Sequence, residues 1–184
     1  KTVANAPEQN LTKSNQTNAI KPQPAHRLDF GTTGLLLVGK TSSSLLDLNQ
    51  LFEQKRIKKT YYTITIGAME KKGIINFAVD NKAAISNFDV IETVVSERFQ
   101  YLNLVRLTPE TGRRHQLRKH LSENGNPILG DVTYGKKDLI LKGKGLYLHA
   151  FSLEFEHLIT NQEFYLEKEP PKKFAKLFDS LKTL

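Results

Sequence analysis

His26-Arg27-Leu28-Asp29-Phe30-Gly31-Thr32-Thr33-Gly34-Leu35-Leu36-Leu37 sets a charged cluster directly before an apolar run. The run Leu35 to Val38 reads as a short buried strand. Ser42 to Ser44 follow as helix caps, and Leu45, Leu48, Leu51 and Phe52 then recur at helical spacing. Asp29 and the two glycines also fit a plain turn, because an aspartate bonds nearby backbone amides and glycine reaches positive φ without steric cost.

Working outward, Lys59 to Gly67 (KTYYTITIG) alternates as a half-buried strand does, with β-branched and aromatic residues throughout. Tyr61 and Tyr62 therefore face opposite sides, one free to line a cleft while the other packs. Further strands are expected at Gly73–Ala78, Val90–Ser96 and Phe99–Thr108, the last two as a hairpin. Gly112 to Asn124 has helical spacing and puts Arg114 and Arg118 on one face, with Gly125 as the stop. Strands at Leu146–Glu156 and Gln162–Leu166 follow, and Pro171 opens a final helix striped by Phe174, Leu177, Phe178 and Leu181. Strands that cluster without regular helix alternation predict an α+β fold, a mixed and mainly antiparallel sheet with flanking helices. Residues 1–24 read as coil, a poorly ordered arm or the remnant of a truncated strand region, and residues 25–184 as one domain. Starting at Lys1 without a methionine, the chain reads as processed or as a fragment.

The chain has no cysteine, which excludes disulfides, a thiolate nucleophile, zinc–thiolate sites and iron–sulfur clusters. His115 and His120 would lie about 140° apart around a helix, too far to share a metal. No metal and no organic cofactor are expected. No apolar run approaches the roughly 20 residues of a spanning helix, and no signal-peptide pattern opens the chain, so a cytoplasmic address is expected without a membrane partner. A net charge of +8, from 27 Lys and Arg against 19 Asp and Glu, favours polyanionic partners or a solvated basic face.

A third segment, Thr111-Gly112-Arg113-Arg114-His115-Gln116-Leu117-Arg118-Lys119-His120-Leu121, gathers hydrogen-bond donors for phosphates where a helix is expected to begin. Together the three segments resemble the RNA pseudouridine synthases, specifically the branch acting on ribosomal and transfer RNA often called the RluA family. HRLDFGTTGLLL matches that family's HRLD, two residues, TSGLLL, with Thr33 in place of Ser. The Lys-x-Tyr motif with Gly six residues beyond selects Tyr61 over Tyr62. TGRRHQLRKHL corresponds to TGRTHQIRVHL, with Arg114 replacing Thr and Lys119 replacing Val. Pro127 to Asp131 with Tyr134-Gly135, and Leu148-His149-Ala150, resemble its PILGD…YG and LHA segments. Family members also carry an Asn-Lys-Pro strand, often after a small RNA-binding domain, and neither is found in this chain.

The resemblance implies a monomeric enzyme that isomerises uridines in ribosomal or transfer RNA, with Asp29 as the essential carboxylate. Asp29 either attacks the ribose anomeric carbon or removes the 2′ proton, and the sequence leaves both routes open. Arg118 is expected to pair with Asp29, and Tyr61 to stack on the target base with its hydroxyl near carbon 5. Arg27 is expected to contact RNA or fill the space vacated by a flipped base. Arg113, Arg114, His115 and Lys119 complete the expected substrate contacts. Lys58, Lys59, Lys136, Lys137, Lys142 and Lys144 are further candidates for a phosphate-binding rim. His26 is expected to organise the first motif through hydrogen bonds. Two rivals remain, an RNA-binding module without catalysis and a carboxylate glycosidase. The second needs a further acidic group that these motifs do not offer.

Overall fold

The computed structural model describes residues 10–141 and 143–181. Its strands are β1 (Ala19–Pro24), β2 (Thr33–Gly34), β3 (Val38–Thr41), β4 (Lys58–Ile66), β5 (Lys72–Ile75), β6 (Ser86–Ser96), β7 (Gln100–Pro109), β8 (Leu148–Glu156) and β9 (Glu163–Glu167). The helices are α1 (Ser42–Glu53), α2 (Gln116–Glu123) and the single-turn α3 (Lys172–Ala175). Seven strands form one sheet in the order β2-β8-β4-β7-β6-β5, with β9 on β8, while β1 and β3 pair separately. Only the β2–β8 pair is parallel among those described, which bears out the mixed, mainly antiparallel α+β reading.

Four local expectations need correction. Ala19–Pro24 is a strand rather than coil: Pro22 and Pro24 are tolerated because, among the described residues, no third strand joins this small sheet to require their missing N–H groups. Leu35–Leu37 join two short strands instead of forming one. The helix expected from Gly112 starts only at Gln116, because His115 takes a left-handed φ of 55°. The final helix breaks after Ala175, and a 3-10 turn at Asp179–Leu181 follows, although Phe174 and Phe178 are buried as expected. Residues 1–9 and Lys142 lie outside the described residues.

Ile64 and Ile66 of β4, Leu104 and Leu107 of β7, and Leu117 and Leu121 of α2 build the main core with Phe174 and Phe178. α1 is opened by a capping box in which Thr41 and Ser44 bond each other's backbone, and its Leu51 packs with Ile57 and Leu153 in a second cluster. One row across three strands positions the site: Gly34 pairs with Ala150, and Ala150 with Tyr61. Gly34 is required there, with φ +111°, because a Cβ would fall 2.1 Å from the Ala150 carbonyl oxygen.

Candidate active site

The loop between β1 and β2 carries Asp29, and bonds at both ends fix it. Ala25 N–H donates to the Leu37 carbonyl at 2.9 Å, and Leu37 N–H to His26 Nε2 at 3.0 Å. At the other end, the Thr33 hydroxyl meets His149 Nδ1 at 2.8 Å, and His149 Nε2 meets the Lys168 carbonyl at 2.7 Å. The Leu-His-Ala strand thus tethers the aspartate loop to the centre of the sheet. His26 also packs against Phe52 with its ring tilted by 40°, and burial together with the Lys59 charge lowers its pKa to about 4, so it is a neutral acceptor.

The third segment is held by Gln116. Its Oε1 accepts from the Thr111 hydroxyl (2.7 Å) and Arg113 N–H (3.0 Å), and its Nε2 donates to the Ile85 carbonyl and Ser86 hydroxyl. This brace leaves Arg113 and Arg114 in the loop while Arg118 enters the helix and is buried. Arg114 and Arg118 therefore do not share a helical face.

Asp29 meets two partners from this segment. Arg118 Nη1 stands 3.9 Å from Asp29 Oδ2, and His115 Nε2 stands 3.9 Å from Asp29 Oδ1. Arg118's closest partner is Asp131, the last residue of the Pro127 to Asp131 segment, to which the sequence assigns no role: Nε and Nη2 donate to its two oxygens at 2.7 and 2.8 Å. Burial raises the Asp131 carboxyl, but Arg118 and the N–H groups of Tyr134 and Thr133 outweigh it and hold the group below its ordinary range. The same bond to Asp131 raises Arg118, helped by Asp131 and Asp29 charge. Tyr134 completes the arrangement, its hydroxyl 2.9 Å from His115 Nδ1 and its ring 5.0 Å from the Arg118 guanidinium carbon. His115 is held below its usual pKa by burial, with the Asp29 charge opposing and Arg118, Arg114 and Arg27 adding to the effect.

A cleft of about 1030 Å³ opens over this cluster. Asp29, Tyr61, His115, Arg27, Arg113 and Arg114 line it, with Lys55, Lys58 and Lys59, against Glu53 and Glu110 as the other acids. Tyr61 enters the cleft and Tyr62 does not; Tyr62 packs edge-on against Phe151. Desolvation and then the Asp29 charge push the Tyr61 hydroxyl up to about 12, so it stays protonated at neutral pH. Thr32 also lines the cleft, and its buried hydroxyl has no hydrogen-bond partner among the described residues.

Three placements differ from expectation. Arg118 does not line the cleft but lies beneath Asp29. Lys119 points into a separate depression, where it pairs with Asp80, one helical position from Arg118 and so about 100° around the axis. Lys136, Lys137 and Lys144 are exposed away from the cleft lining. Among the described residues no cluster of three or more His, Asp or Glu is placed to hold a metal ion, and no helix is long and apolar enough to cross a membrane.

A family model described as RNA pseudouridylate synthase matches residues 2–123. The chain is 39% identical over 176 residues to an uncharacterized RNA pseudouridine synthase of Helicobacter pylori, covering 82% of this chain and 59% of that protein. It is 32% identical over 175 residues to ribosomal large subunit pseudouridine synthase D of Nitrosomonas europaea, covering 86% and 51%. The chain thus spans a little over half the length of these relatives. Human RNA pseudouridylate synthase domain containing 1 shares the fold, with TM-score 0.73 at 24% identity over 86% of this chain and 72% of that one.

Proposed function

The chain belongs to the RNA pseudouridylate synthase family, and from that premise we propose that it converts uridines to pseudouridines in structured ribosomal or transfer RNA, with Asp29 as the essential carboxylate. The observation that carries this reading is the meeting, in one cation-lined cleft, of Asp29, Tyr61 and the third segment, which lie far apart in sequence. We take residues 25–184 as the catalytic domain, joined by β1 through its pairing with β3, acting as a monomer on RNA in the cytoplasm.

The reaction is an isomerisation. The bond from ribose C1′ to N1 breaks, the uracil turns, a bond from C1′ to C5 forms, and the C5 proton moves to N1 by way of protein or solvent. Asp29 serves either route, by attack on C1′ with N1 leaving or by removal of the 2′ proton. Both need an ionised carboxylate, and Arg118 supplies the compensating cation from beneath. Arg118 is thus a positioning residue that acts through Asp29, and Asp131 fixes its fork.

Tyr61 stacks on the base. Because its hydroxyl is protonated, it takes the C5 proton only while passing its own on, and the neighbouring Asp29 carboxylate, free again once C1′ is bonded to C5, is the acceptor. A stacked uridine cannot reach this cleft, so the target is flipped out or taken from a loop. Arg27, Arg113 and Arg114 contact the RNA backbone at the rim, with His115 beside the carboxylate. Lys119 is left out of this contact set because it faces another depression.

Carbodiimide adducts that survive alkali mark pseudouridine as reverse-transcription stops. Incubating the protein with ribosomal and transfer RNA transcripts should create new stops at discrete uridines. Transcripts that gain none would favour the binding-only reading.

A further inference from the structure

The apex of the aspartate turn carries an apolar side chain that the fold leaves in solvent. Thr32 N–H donates to the Asp29 carbonyl at 2.9 Å, closing a four-residue turn over Asp29-Phe30-Gly31-Thr32. Gly31 has φ +85°, as the third position of a type II turn requires, and a Cβ there would lie 3.2 Å from the Leu146 Cβ. The turn is therefore seated on buried Leu146 and cannot roll inward, which leaves Phe30 at its outer corner with 89% of its surface exposed. Asp29 and Thr32 on either side both line the cleft.

An isolated aromatic held out in water gains nothing for the fold, and a turn corner accepts almost any residue. The surroundings select what covers it. Arg27, three residues earlier, and Arg114 across the cleft give the rim a positive field suited to a polyanion. A polyanion that also offers flat apolar faces is a nucleic acid with unstacked bases. Every base has such a face, so the contact tolerates sequence, and the cations hold the adjacent phosphates.

We propose that Phe30 is a stacking platform for an unpaired nucleobase flanking the target nucleotide, holding the strand so that the neighbouring nucleoside is presented to Asp29. The inference rests on the reading of the cleft as an RNA site, and adds to it a contact made outside the catalytic pocket.

The chain contains no tryptophan, so Phe30→Trp introduces a single indole at the turn, whose emission is separable from that of the tyrosines. Titrating this variant with a large-subunit ribosomal RNA transcript should quench the indole emission to saturation, as base stacking does. Phe30→Ala should keep the wild-type unfolding midpoint, since the ring touches little of the fold, yet bind the transcript about ten- to a hundred-fold more weakly. Phe30→Tyr should restore binding, and Phe30→Leu should not. An indole signal indifferent to RNA, wild-type affinity in Phe30→Ala, or quenching that follows protein concentration without RNA would each overturn the proposal, the last pointing to self-association. These readouts are of binding, so they stand apart from turnover: a wild-type chain that binds the transcript but makes no pseudouridine, with Phe30→Trp quenched by the same transcript, would sink the catalytic reading and leave the platform in place.

Discussion

Arg118 grips Asp131 through two hydrogen bonds of 2.7 and 2.8 Å and turns its remaining nitrogen, at 3.9 Å, toward Asp29. The Asp29 carboxylate, to which the proposed function gives the catalytic role, is thereby faced by a cation whose direction is set by a second, buried carboxylate. Removing Asp131 strands a buried guanidinium, which costs about 3–5 kcal/mol. Asp131→Ala should lower the chemical denaturation midpoint accordingly and reduce turnover with it. Arg118→Lys keeps the charge but loses the fork, so it should lose turnover without restoring stability.

The role proposed for Tyr61 divides into two functions. Tyr61→Phe should retain RNA affinity, because the ring still stacks, and lose turnover, because the proton path is gone; Tyr61→Leu should lose both. With the hydroxyl pushed up to about 12, its ionisation contributes no alkaline limb to the rate profile between pH 7 and about 10. Ultraviolet difference titration of wild type against Tyr61→Phe should place the missing phenol near that high value.

His26 gives a signed dependence of stability on pH. Its folded pKa of about 4 lies below the ordinary 6.5, so between these values the unfolded chain binds more protons. Stability from His26 is complete above pH 6.5, falls as pH drops through the window, and is gone below about 4. Denaturant midpoints measured from pH 7.5 to 4 should fall more steeply for wild type than for His26→Asn.

Thr32→Val removes a buried hydroxyl that has no hydrogen-bond partner among the described residues. Such a hydroxyl costs desolvation without return, so the variant should match or exceed wild-type stability, by up to about 1 kcal/mol. A lowered thermal midpoint would show that the hydroxyl is bonded in solution.

The rim assignment is read through salt. Arg113→Ala and Arg114→Ala should each lessen the slope of log affinity against log salt by about 0.7, the value for one phosphate contact on a single strand. Lys119→Ala should leave the slope unchanged, because Lys119 faces Asp80 away from the cleft.

Much of this architecture is legible in the sequence where one period dominates. Lys59 to Ile66 reads as a strand and lies within β4, although Thr63 to Ile66 are buried on both faces rather than alternately, and Leu51 and Phe52 of α1 pack into the second cluster. The misreadings fall where a tertiary partner decides. Ala19–Pro24 carries two prolines and becomes a strand only because β3 lies beside it. Helix α2 starts late because buried Gln116 braces the preceding loop and His115 turns left-handed. Asp131 and Tyr134 were visible within their motif, yet no spacing rule joins a helical arginine to an aspartate thirteen residues on. Lys119 faces Asp80 for a simpler reason: adjacent helical residues point in different directions, and burying Arg118 turns Lys119 away from the cleft.

The central claim is tested by incubating ribosomal RNA transcripts tritiated at uridine C5 with the protein and with Asp29→Ala. Isomerisation replaces the C5 hydrogen with the bond to C1′, so the wild-type protein should release tritium to water and the variant, still folded and still binding RNA, should release none. Release undiminished in Asp29→Ala would contradict the role given to this carboxylate, and the absence of release from wild type on ribosomal and transfer RNA alike would contradict the catalytic account itself.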